Sequence, residues 1–235
     1  MGIKERHDRG RAATREAILH ATRELFVTEG YRPVSMRRIA ERIEYSPAAI
    51  YGYFASKDEI FFALAEEGFT TMQQAARAAA CGQSDPLAAM RAGFWAYYQF
   101  ARQQPQYFEL MFVDRTVPQL TDMDRFSVLA EMWHDGISSI ARCVDAGIFP
   151  PTLDIAAAFH ILWAATHGAA TLHLCQRLGP EENPDLLAAD TLHTVIAGLR
   201  TGVRTSFVSS PGACVPTPRD VAQDFSPASG VTDHA

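Results

Sequence analysis

The residues of this chain best equipped for chemistry lie between Tyr45 and Lys57, in the run Y-S-P-A-A-I-Y-G-Y-F-A-S-K. They offer hydroxyls (Tyr45, Ser46, Tyr51, Tyr53), a cation (Lys57) and small apolar contact groups (Pro47, Ala48). Hydroxyls both donate and accept, and small apolar groups can seat against thymine methyls. The set therefore suits base edges and phosphates better than bond cleavage. Groupings for catalysis are missing: there is no G-x-S-x-G, no glycine-rich phosphate loop, no H-E-x-x-H and no carboxylate pair set in an apolar segment. His160 and His167 stand seven residues apart on one helix face, with His173 a turn and a half further on. That geometry could hold a metal or haem, but no Cys, Asp or Glu stands at ligand spacing beside them. Buried, hydrogen-bonded histidines are the simpler reading, so no metal, cofactor or catalytic residue is expected.

Short helices must position the Tyr45–Lys57 groups. Ser35 can N-cap a helix in which Ile39, Ala40 and Ile43 share an apolar side. Ser46 can cap a second, with Pro47 at its first position, where a missing N–H costs nothing. Three residues, 43–45, separate them, the turn length of a helix-turn-helix. Phe54 and Ala55 should close the second helix, and Ser56 with Glu59 forms a capping box that opens a longer one.

Ser35, Ile39-Ala40, the Y-S-P-x-x-I-Y-x-Y-F run from Tyr45 to Phe54, and Ser56-Lys57 together resemble the TetR-type transcriptional regulators. The resemblance implies an all-α protein with a three-helix head that reads double-stranded DNA. Tyr45, Ser46, Pro47, Ala48 and Tyr51 are then expected to face the major groove, since the first residues of a recognition helix meet base edges. Ser35, Tyr53 and Lys57 are expected at phosphates. Glu44 departs from the family, which often has glycine in this turn, and must adopt the turn without glycine's freedom at positive φ.

Composition bounds the rest. The chain has 235 residues, 48% apolar and 20% charged, enough for a substantial core. Its net charge of −6 is uneven. Residues 1–60 hold 11 Lys/Arg against 9 Asp/Glu, and residues 61–235 hold 10 against 18. A basic small end on an acidic large end fits a DNA-reading head on a body with another task. Cys81, Cys143, Cys175 and Cys214 form no C-x-x-C pair, so reduced thiols are expected. No apolar run is expected to reach the ~18 residues of a membrane span. The charged N-terminus leads into no signal-peptide core, so a cytoplasmic location is expected.

Along the chain, residues 1–10 read as frayed, followed by a helix over Arg11–Glu29 carrying Ile18, Thr22, Leu25 and Phe26. Its arginines, with Arg6 and Arg9, could reach a phosphate backbone. The capped helix from Lys57 runs to Ala80. Helices follow from Asp85-Pro86, from Asp122 to Ala146, from Leu153 to Leu178, and from Asn183-Pro184 to Phe207. Residues 209–235, rich in Pro, Ser, Gly and Asp, read as a disordered tail. The division is 1–56 for the head, 57–208 for a helical body and 209–235 for the tail.

Leu162 to Gly168, with Trp163, His167 and Gly168, resembles the Trp…His-Gly signature in the C-terminal domain of one TetR-type subgroup. The segment Q-Q-P-Q-Y-F-E-L-M-F before it resembles that subgroup's entry to a ligand pocket. This implies a body that dimerises and binds a small hydrophobic or aromatic effector, expected among Phe94, Tyr98, Phe108, Met111, Phe112, Trp163 and His167. Independently, the last two long helices are apolar over much of their circumference, which calls for two partners each. Ile155, Phe159, Leu162, Val195, Leu199 and Val203 are expected at a homodimer interface. The reading is a homodimeric repressor of a palindromic operator, released by its effector. The alternative is a helical small-molecule or haem-binding protein whose head does not read DNA.

Overall fold

The computed structural model describes residues 3–113 and 127–202, over which the fold is all-α. The expected disordered tail, Val203 and the start of a helix at Asp122 lie outside the described residues. Three helices build the head: α1 (Ile3–Glu29), α2 (Met36–Arg42) and α3 (Pro47–Tyr51). α1 starts eight residues before the expected Arg11. The polar stretch was read as frayed, but extending an existing helix needs no new nucleus. Gly30, at φ 74°, ends α1. α3 stops at Tyr51 rather than at Phe54, because Phe54 turns inward and is buried.

α4 (Lys57–Ala80) leaves the head and pairs with α5 (Pro86–Gln103). α6 (Pro105–Phe108) runs into a π-helical turn, Glu109–Val113. The body closes with α7 (Ser127–Asp145), α8 (Ile155–Leu174) and α9 (Pro184–Arg200). α9 ends short of the expected Phe207, with Gly202 at φ 75° just past its cap.

The core of the head continues into the body. Ile18, Phe26, Ile39 and Ile50 pack with Ile60, Phe61 and Leu64 of α4. The Phe61 ring meets Phe26 edge-on at 5.4 Å and Tyr31 at 4.8 Å. Each fully buried side chain of this size contributes roughly 1.5–3 kcal/mol, so α4 cannot tilt without moving the head. A second cluster joins α5, α7, α8 and α9 around Met90, Phe149, Leu162 and Ile196.

α8 is long and apolar, but three histidines and two threonines interrupt it, so it holds no unbroken apolar run of membrane-spanning length. It has 20 residues with a mean hydropathy of 1.3 over its most apolar window, and 39% of that window is buried within one chain. Three of the residues expected at a dimer interface, Phe159, Leu162 and Leu199, are buried in the second cluster of a single chain. Ile155 and Val195 pack against the same cluster and are partly buried. Phe159, Leu162 and Leu199 hold the chain's own core: apolar periodicity marks a buried face without saying which neighbour buries it. The exposed large apolar residues of α8 and α9 are Leu172, 42% exposed, and Leu186, 62% exposed.

Candidate nucleic-acid interface and body cavity

Local capping chemistry shapes the head. Ser35 Oγ accepts from the Arg38 N–H at 3.3 Å and Ser46 Oγ from Ala49 at 3.2 Å. Ser56 Oγ accepts from Glu59 at 3.2 Å, while Glu59 Oε2 reaches back to the Ala55 N–H at 2.8 Å. Each capping hydroxyl uses a lone pair and keeps its proton to donate. Glu44 takes the turn at φ 59°, the strained conformation its position demanded. The turn leaves Tyr45, Ser46, Pro47, Ala48 and Tyr51 exposed together at the start of α3, with Tyr45 46% and Tyr51 56% exposed.

Cations around that surface divide into two groups. The arginines of α2 are engaged: Arg38 pairs with Glu29, Arg42 with Glu24 at 3.0 Å, and Arg37 with Glu41 at 2.8 Å. Those near α3 are held without a carboxylate. Arg11 donates to the Gly52 carbonyl at 2.9 Å and lies over the half-buried Tyr53 ring, and Arg15 lies over Phe54. Lys57 Nζ donates to the Tyr31 carbonyl at 3.1 Å and sits 3.7 Å from the Tyr31 ring centre. Lys57 is therefore a structural tie between α4 and the α1–α2 turn as well as a cation.

Midway along α4, Glu67 gathers two other elements. It accepts from Arg23 of α1 at 2.8 and 2.9 Å and from the Tyr107 hydroxyl of α6 at 2.7 Å. Burial, then the Glu67 hydrogen bond, pushes the Tyr107 pKa up, so its hydroxyl stays a donor. The next residue is Gly68, where an added Cβ would lie 2.5 Å from Met111 Sδ and 2.9 Å from Tyr107 Cδ1. Only glycine lets α4 nest this closely on α6 and the π turn.

Between α4, α5, α7 and α8 lies a cavity of about 570 Å³. Of the residues expected to line it, Phe94, Phe112 and Trp163 do; Tyr98, Phe108, Met111 and His167 are not in its wall. Tyr98 points the other way, its hydroxyl donating to Asp185 at 2.7 Å and lying 3.1 Å from His173 Nδ1. Phe108 and Met111 are buried in the first core cluster. Its neighbour Tyr97 lines the wall instead, with its hydroxyl 2.7 Å from His167 Nδ1. His167 stands behind it, stacked on Phe108 at 5.2 Å. Burial lowers the His167 pKa and raises that of Tyr97, so both are neutral. The sequence reading missed Phe69, Met72, Met90, Met132 and Trp133 in the wall. Their helical spacing marks a buried face, and nothing in it separates a cavity wall from solid core.

The cavity has distinct ends. Phe69 and Tyr97 both meet the Phe112 ring, at 5.6 and 5.9 Å, which places α5 antiparallel to α4. Gln73 reaches Glu131, and Arg77 reaches Glu131 and Asp135, so α7 runs alongside α4 in the same direction. Aromatic side chains line one end and the middle, where Phe159 lies against Gly136, and Cys81, Ala89, Ser138, Ser139 and Arg142 line the other end. Two glycines shape the wall. At Gly93 an added Cβ would meet nothing within 4 Å, whereas at Gly136 it would lie 2.3 Å from the Phe159 ring.

His160 Nδ1 lies 2.8 Å from the Ala156 carbonyl, so all three α8 histidines have protein partners. Among the described residues no group of three His, Cys, Asp or Glu is placed to hold a metal. Burial pushes the Cys143 thiol up to about 11, which leaves it unreactive at neutral pH.

Residues 18–64 match the model of the bacterial regulatory proteins of the tetR family, and residues 90–195 match the tetracyclin repressor-like C-terminal domain. The chain is 27% identical over 123 residues, 52% of its length and 56% of the relative's, to the HTH-type transcriptional activator FasR of Mycolicibacterium smegmatis. It is 43% identical over 56 residues, 24% of its length and 30% of the relative's, to the HTH-type transcriptional repressor Rv1474c of Mycobacterium tuberculosis. These matches span little more than half of the first relative and under a third of the second. A solved structure of a protein of unknown function from Rhodococcus sp. RHA1 shares the fold, with a TM-score of 0.70 and 23% identity over 79% of this chain and 95% of that one. The two family models together span more than half of the sequence, and the chain belongs to the tetR family of bacterial regulatory proteins.

Proposed function

We propose that this protein is a DNA-binding transcriptional regulator that works as a homodimer and loses operator affinity when its cavity is filled. The observation that carries this reading is the exposed Tyr45–Ala48 and Tyr51 surface on a capped helix start, flanked by Arg11, Arg15 and Lys57. Pro47 and Ala48 offer no side-chain hydrogen bonds, so base selection there rests on thymine methyl contact and groove shape. Ser35, Tyr53 and Lys57 serve the phosphates, which fix register rather than sequence.

Dimerisation is supported by α8, a helix without Asp, Glu, Lys or Arg, which leaves Ala156, Ala164 and Leu172 exposed in a single chain. Its face through Ile161, Ala164, Gly168 and Leu172 is apolar or small, and on α9 the exposed stripe from Leu186 to Ala197 also carries Asp190 and His193. Pairing it with its two-fold copy gives a four-helix interface. The effector route starts at Phe112 in the cavity wall, passes through the π turn to Gly68 and Glu67 of α4, and ends at Arg23 of α1. π-helical turns are frequent at functional sites. An effector that favours another α4–α6 packing shifts the spacing of the heads by its differential affinity alone. Where the operator overlaps a promoter, the outcome is repression relieved by the effector.

A salt titration of binding to random duplex DNA tests the first part. Affinity should fall steeply and log-linearly with salt. Salt-independent binding, or none at low salt, favours the ligand-binding protein without DNA readout.

A further inference from the structure

We propose that the cavity takes a long-chain amphiphile with an anionic head, its tail running to the Phe69–Phe112 end and its head beside Arg142. The inference rests on the effector role given above and adds the chemical class. Three observations carry it. The first is length. The lining residues run from Phe69 to Cys81 along α4 and from Leu129 to Arg142 along α7. At the rise of a helix these stretches span ~18–20 Å, the proportions of an extended chain rather than a compact ring.

The second is a gradient along that length. At one end the wall is Phe69, Tyr97, Phe112 and Trp163, and Phe94, Trp133 and Phe159 with Met72, Met90 and Met132 line the passage. Methionines are soft and adaptable, so they follow a flexible chain with little strain. At the far end the wall turns to Ser138, Ser139 and Arg142, with Ala89 and Cys81 opposite.

The third is the charge balance at the mouth. Arg77 also lines it, but its guanidinium is satisfied by Asp135 at 2.6 Å and Glu131 at 3.2 Å. Asp85, at the same end, caps α5 through the Ala88 N–H. Arg142 has no acidic partner among the described residues and is exposed. An apolar cavity ending at a cation outside any ion pair favours an anion with a long tail over a cation of the same length.

Trp133 and Trp163 in the wall report binding by their fluorescence. The probes are tetradecanoate, tetradecyl phosphate, tetradecanol and tetradecylamine, each titrated below its micelle concentration. Both anions should bind about fivefold tighter than the alcohol, a typical strength for an exposed ion pair, and the amine weakest. The ratio of the two anions tells a carboxylate from a phosphate ligand. Arg142→Gln should erase the preference while leaving the alcohol unchanged, Arg142→Lys should keep most of it, and Gly93→Leu should block all four. If the alcohol or amine matches the anions, or the preference survives Arg142→Gln, the head-group assignment is overturned and the cavity stands as an effector site. If none of the probes binds, the long-chain class is overturned.

Discussion

Tyr51 and Lys57 separate two kinds of DNA contact at the scale of single residues. Tyr51 is exposed at the start of α3 and ties nothing down, so Tyr51→Ala would remove the proposed base contact without a folding cost. On its specific site the variant should lose ~1–3 kcal/mol of binding, and on random duplex almost nothing. Lys57→Ala should weaken both about equally, flatten the salt dependence and lower stability slightly, because its ammonium also holds Tyr31. Quantitative gel shifts on both DNAs decide the matter, and the reverse pattern contradicts the assignment. His167 gives a pH prediction. Burial holds its folded pKa below the ordinary 6.5, so the unfolded chain binds the proton first. Stability is then full above about pH 6.5 and declines as pH falls toward the folded pKa. Urea melts at pH 7.5 and 5.5 should show a gap that narrows in His167→Gln; an equal gap in both proteins would exclude His167 as its source. The capping serines were legible in the sequence because caps are local chemistry. The cavity wall was not: Tyr98 was expected there and Tyr97 occupies it, and one step along a helix turns a side chain by about 100°.

At the scale of elements, α4 is the member that both head and body must share. Phe61 and Leu64 bury it in the head, and Phe69 and Met72 carry it along the cavity. Its length and its opening cap were readable from Ser56, Lys57 and Glu59. Its function as a link was not, since it depends on Gly68 meeting Met111 and Tyr107, some forty residues away. Gly68→Ala should wedge α6 and the π turn away from α4 and mimic the bound effector. We expect operator affinity to fall several-fold without ligand, within the range typical of allosteric coupling, with helical content by circular dichroism unchanged. Overpacking should cost ~1–3 kcal/mol of stability. Full operator affinity in a folded Gly68→Ala protein would remove this contact from the effector route.

At the scale of the whole molecule, the interface between two chains is where sequence reading and structure part most clearly. Leu199 looked like an interface residue, yet it is 3% exposed in one chain. A charge there would be buried without a partner and would unfold the monomer instead of splitting a dimer. Periodicity showed that α8 and α9 are apolar on more than one side, and only the packing of α5 and α7 shows which side is already covered. The informative position is Leu172, exposed on α8. Leu172→Asp should give a folded monomer by light scattering, with an unchanged circular dichroism spectrum. A dimer that survives it would move the interface away from this face.

Selection of duplexes from a random pool, followed by sequencing, tests the central claim most directly, because it asks the protein itself what it binds. A two-fold dimer carrying the Tyr45–Tyr51 surface on each chain should enrich an inverted repeat with half-sites one helical turn, or a multiple of it, apart. Tyr51→Ala should blur that repeat, and Leu172→Asp should lose it. Enrichment of a single unsymmetrical site, or of nothing beyond the starting pool, would contradict the account.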